Sequence, residues 1–220
     1  MSKRKILDFL SDLSKNNSKE WMDEHRSRYH EAKQIWLDEI ALILERIRKY
    51  DDQFETVEPK KTIMRINNNR QFHPDKPIYK DSFGCAPVQN MYEPSFYIHI
   101  SPNESFIGGG LYKPPSATVK KMRSAIDYNG AELTKIVEDK KFQHFYGGWS
   151  DDPDILKTSP RGYDADHPQI ELLRRKNFTA IRPLTQKEFL SSDFVDLAEQ
   201  AFVTLQPMNQ YLLEATTFEG

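Results

Sequence analysis

Apolar residues recur at steps of three and four over the first quarter of the chain. Ile6, Phe9, Leu10 and Leu13 give a first helix over residues 3–14. Asn16-Asn17 interrupts the pattern, and Asn17 with Glu20 three residues later reads as a capping box opening a second helix. Its stripe runs from Trp21 through Tyr29 and Trp36 to Ile47, on one face for about eight turns. The short break between the two makes a helical hairpin. The aromatics of the stripe suit a ligand groove or the core, and the core is the commoner use of such a face.

Beyond residue 60 the period changes. Thr62 to Ile66 alternates weakly and predicts a short strand; Phe96 to Ile100 alternates cleanly and predicts a second. Phe106 to Tyr112 pairs back on it as a hairpin, with Gly108, Gly109 and Gly110 inside the returning arm. Pro114-Pro115-Ser116 opens a helix that ends near Asn129-Gly130, and another follows to Val137. Phe178 to Ile181 predicts a last strand, Thr185 to Glu188 a helix start, and Asp193 to Leu205 a helix that Pro207 ends or kinks. Turn formers fill residues 67–90 and 147–168. The first of these is long enough to imply an ordered, functional loop. The expectation is one α+β domain spanning 1–220: a mainly antiparallel curved sheet from strands near 62, 96, 107 and 179. The N-terminal helical hairpin and the C-terminal helix would pack against it.

Composition narrows the function classes. At 220 residues and a formal charge of −2, the chain lacks the basic excess of a dedicated duplex-DNA binder. No window approaches the ~20 apolar residues of a membrane span. Asp8 and Asp12 interrupt the segment where a secretory leader would be apolar. A cytoplasmic protein is expected. Cys85, the only cysteine, excludes an internal disulfide and a multi-cysteine zinc site, and its neighbours Gly84 and Ala86 suit an apolar filler. No histidine pair has ligand spacing, and no phosphate loop, dinucleotide fingerprint or nucleophile elbow occurs. No metal or cofactor is expected.

Three segments could carry chemistry. Residues 60–80 hold Lys60, Lys61, Arg65, Arg70, Lys76 and Lys80 against one acid, Asp75. Amides, aromatics and prolines accompany these cations, a mixture able to hold an anion. Three glycines in one strand, each costing roughly 0.5–1 kcal/mol against alanine, imply a bulge or a close approach to the backbone. Pro160 to Pro168 presents Arg161 in a turn and sets Asp166-His167 before a helix start. A carboxylate orienting an imidazole is the minimum for general-base work, although Asp166 serving only as a helix cap is the commoner arrangement.

These segments, in this order, resemble the conserved hypothetical family catalogued as domain of unknown function 2461. The resemblance runs from about Ile6 to Leu213. It rests on Asn16-Asn17 and Trp21, Arg65-Ile66, Phe72, Asp75-Lys76, Tyr79-Lys80, the triple glycine with Tyr112, Arg123, and PRGYDADHP with Lys176. It implies a shared site and no particular reaction. The family's Arg-Asp-x-Arg-Phe run is Asn68-Asn69-Arg70-Gln71-Phe72 here, so charges of the pattern have become amides.

The sequence therefore favours a polar cleft for a small anionic ligand, phosphorylated or carboxylated. Arg65, Lys76, Tyr79, Lys80 and Arg161 would surround the anion, with His167 as a base held by Asp166. Aromatics among the cations (Phe72, Tyr79, Tyr97) keep RNA or single-strand binding open, and the amphipathic hairpin keeps a protein-interaction role open.

Overall fold

Helix α1 (Arg4–Lys15) buries Ile6, Leu7, Phe9, Leu10 and Leu13 on one face, as the spacing requires. The computed structural model describes residues 2–87 and 93–217. Asn16 ends α1, its amide returning to the carbonyls of Asp12 and Leu13. The cap of the next helix, α2 (Lys19–Glu24), is Ser18, whose hydroxyl accepts from the Trp21 amide; Asn17, the expected cap, is engaged elsewhere. The stripe read as one helix is broken at His25 (φ −106°, ψ 18°), after which α3 (Arg26–Ile47) buries Trp36, Ile40, Ile43, Leu44 and Ile47.

The expected strand over residues 62–66 is absent. Pro59, with its fixed φ and no amide hydrogen, starts one helical turn, α4 (Pro59–Thr62), and the Thr62 hydroxyl donates back to the Pro59 carbonyl. The chain then runs beside a short strand that the sequence reading missed, β1 (Phe83–Cys85). Met64 N–H donates to the Gly84 carbonyl and Ala86 N–H to the Thr62 carbonyl. The loop between them was expected to extend to residue 90; residues 88–90 lie outside the described ones.

Strands β2 (Ser95–Ile100) and β3 (Ser105–Leu111) form the expected hairpin, with Phe96, Ile98 and Ile100 buried in alternation. The Ser105 hydroxyl bridges its turn, accepting from the Ser101 amide and donating to the Ser101 carbonyl. Then come α5 (Ser116–Val137), interrupted by non-helical Asn129, and α6 (Lys140–Tyr146), capped by Asp139. After a turn-rich stretch follow α7 (Ile170–Arg174) and β4 (Phe178–Leu184). A Thr185–Glu188 capping box opens α8 (Gln186–Leu190), and α9 (Phe194–Thr217) carries Pro207 in its interior without ending there.

The chain is α+β, as expected: 54% helical, with an open four-stranded antiparallel sheet in the order β1-β2-β3-β4. Gly84 faces His99 across the β1–β2 register. Contacts group the chain into two compact units. The first takes residues up to 87, 97–107 and 183–200; the second takes the described parts of 88–96, 108–182 and 201–220. In the first, Phe9 packs against Trp21, Tyr29 and Phe83. In the second, Phe96 meets Phe202 edge-on and the Tyr146 hydroxyl donates to the Ala201 carbonyl. No helix among the described residues is long and apolar enough to cross a membrane.

Candidate functional site

The basic loop closes on itself. Lys80 N–H donates to the Ile66 carbonyl at 2.7 Å and Asn68 N–H to the Ile78 carbonyl at 3.0 Å, pairing the two arms. Asn68 Nδ2 donates to the Pro77 carbonyl, so the amide standing where the family pattern has a charge closes the loop. Arg70 braces the tip, its guanidinium donating to the Pro74 carbonyl. Asn17 holds the base from outside: its Oδ1 accepts from Tyr79 N–H and its Nδ2 donates to the Tyr79 carbonyl, both at 2.9 Å.

This closure sorts the predicted residues. Tyr79 is 7% exposed and its ring belongs to the core. Lys76 and Phe72 stand in solvent. Lys80 donates from Nζ to the Arg65 carbonyl at 2.7 Å. Its pKa is lowered, first by partial burial and then by the charges of Arg65 and Lys76. The three cations therefore share one electrostatic neighbourhood.

Arg65 opens onto a cavity of about 250 Å³ in the first unit. Its charged walls are Lys33 on α3, Lys60 on α4, and Arg65. No carboxylate lines it, and none of these three makes an ion pair among the described residues. Tyr29, Trp36 and Phe83 supply aromatic surface, and Ile63, Met64 and Ile66 aliphatic surface. Burial holds the Tyr29 phenol above its usual pKa, the nearby Arg26 charge only partly opposing it. Trp36 is 1% exposed, and its indole N–H is buried with no acceptor among the described residues. Gly84 completes the wall; a Cβ there would sit 2.6 Å from the Tyr97 hydroxyl oxygen, so only glycine fits without displacing that ring.

Lys33 and Trp36 were not predicted as site residues. Their signal lay in the helix stripe: Tyr29, Lys33 and Trp36 follow at four and three, which stacks them on one face. Lys60 stood in the basic stretch but apart from its loop.

Cys85 beside this wall is buried, donates to the Thr62 hydroxyl at 3.3 Å, and has its pKa pushed up to about 12 by burial. A thiol held neutral there is a core filler.

The other predicted residues belong to the second unit, so the site built here takes nothing from them. Arg161 and Asp166 are exposed. The carboxylate that meets His167 is Asp127 on α5, at 3.1 Å from Nε2, and not Asp166. His167 Nδ1 accepts from Gln169 N–H at 3.0 Å, so the imidazole caps the turn entering α7. The glycines meet protein backbone. A Cβ on Gly109 would lie 1.9 Å from the Ser95 carbonyl oxygen, and one on Gly108 2.2 Å from that of Ala180. No group of three or more His, Cys, Asp or Glu able to hold a metal ion occurs among the described residues.

The model of one protein family, described as conserved hypothetical protein (DUF2461), matches residues 5–211. No curated protein and no solved structure matches the chain.

Proposed function

Because the chain belongs to the DUF2461 family, which carries no assigned reaction, we propose a function from the cavity itself: binding of a small phosphorylated or carboxylated ligand in the cytoplasm. The observation that carries this reading is the charge of the walls. Lys33, Lys60 and Arg65 converge on about 250 Å³ with no carboxylate among them. Like charges around one cavity repel, and with no carboxylate partner for any of the three an entering anion relieves that repulsion. Lys80, bonded to the Arg65 carbonyl, adds a fourth cation nearby. Tyr79, buried in the core, offers no ring for base stacking, which removes one of the three aromatics behind the single-strand reading.

The test is a thermal-shift and calorimetric screen against phosphorylated and carboxylated metabolites, with Lys33→Ala and Arg65→Ala in parallel. A ligand at 100 times its Kd stabilises the folded chain by about 2.7 kcal/mol. For a chain of this length that raises Tm by roughly 5–11 °C. The expected result is such a shift in the native protein and its loss in both variants. A shift that persists in both variants would place the ligand elsewhere, and the cavity reading would fail.

A further inference from the structure

The same cavity constrains the body of the ligand as well as its charge. Resting on the anion reading above, we infer that the occupant is an amphipathic acid: a phosphate or carboxylate joined to a flat apolar ring. A site for an inorganic ion alone surrounds it with donors, because every wall has to replace lost water. Here the cations account for three of the wall residues, and the remainder is mostly aromatic or aliphatic. Trp36 and Phe83 are 1% and 5% exposed, so their edges form a fixed floor that needs no rearrangement. Tyr29 stands edge-on to Phe83 at 6.4 Å between centroids, and Lys33 Nζ lies 6.0 Å from the Tyr29 centroid. Charge and ring surface therefore adjoin on one helix face, with Tyr29 and Lys33 one turn apart. A ligand whose acid group meets Lys33, Lys60 and Arg65 lays its body against Tyr29, Trp36 and Phe83.

The experiment compares phenyl phosphate with inorganic phosphate on the full chain, by calorimetry and by the indole N–H resonances of Trp21, Trp36 and Trp149, with Trp36→Phe assigning the middle one. The expected result is binding of phenyl phosphate at least about tenfold tighter than phosphate, with a displaced Trp36 resonance and loss of both effects in Lys33→Gln and Arg65→Gln. Equal affinity for the two probes overturns the inference while the anion reading stands. If neither probe binds at millimolar concentration, the anion reading falls with it. A preference that survives both variants places the ring outside the cavity and also overturns the inference. So does a Trp36 resonance that stays put, because a ring laid against the cavity floor has to move it.

Discussion

Asp152, 8% exposed, accepts hydrogen bonds from the amides of Asp154, Lys176 and Asn177 and from Asn177 Nδ2, at 2.7 to 3.1 Å. Burial by itself would raise its pKa, but these donors favour the carboxylate more strongly and the net shift is downward. A carboxylate with a depressed folded pKa stabilises the protein above its unfolded value, about 3.9, and that contribution is lost as pH falls through the folded value. Asp152→Ala is expected to cost about 3 kcal/mol in urea unfolding at neutral pH. The difference from the native protein should shrink as the pH is lowered from 5 towards 2. A difference that holds constant over that range would show that the carboxylate's charge has no part in it. Two glycines make a second contrast at this scale. Gly109→Ala puts a methyl 1.9 Å from the Ser95 carbonyl oxygen and should cost about 3 kcal/mol or more. Gly147, at φ 75° with no atom within 4 Å of a built Cβ, should cost only about 1 kcal/mol on the same change, through backbone strain. Similar losses in the two unfolding curves would contradict the packing explanation.

Elements in this chain are placed by residues whose work is done elsewhere, which is where reading the sequence succeeded and failed. Periodicity revealed α1, α3, β2, β3 and α9 because each buries a regular face. It assigned the α2 cap one residue early, since Asn17 and Ser18 both suit an N-cap. The pattern cannot show that Tyr79, 62 residues away, has claimed the amide. The misread strand near 62 and the missed β1 share one cause. Three residues with a central glycine show no alternation, and Pro59 bent their partner into a helical turn. Missing α6 was avoidable, because Asp139 and Gly147 are ordinary start and stop signals. Of the cavity's three cations, only Arg65 was legible as a site residue. Arg65 stood out by charge, while Lys33 was hidden beside the core positions of a helix stripe. Asn17→Ala tests the clamp: it should cost about 1–2 kcal/mol and speed hydrogen exchange at the Tyr79 amide. Unchanged exchange there would mean that the loop's own pairing suffices.

Across the whole molecule, the proposed anion site would trade stability for a binding surface. Removing one of several like charges relieves repulsion, so Arg65→Ala should leave the Tm of the free protein unchanged or raised by up to about 2 °C while abolishing any ligand-induced shift. A clear drop in the free protein's Tm would mean that the guanidinium holds structure together. The three stretches that make up each compact unit have a different consequence, for synthesis. Residues 183–200 complete the unit that holds α1 to α4, so its last contacts form only after residue 200 has been synthesised. At about 5–20 residues per second, the greasy faces of the first helices wait on the order of ten seconds for partners not yet translated. Those faces are thus the stretch of the chain most exposed to association with other chains before the unit is complete.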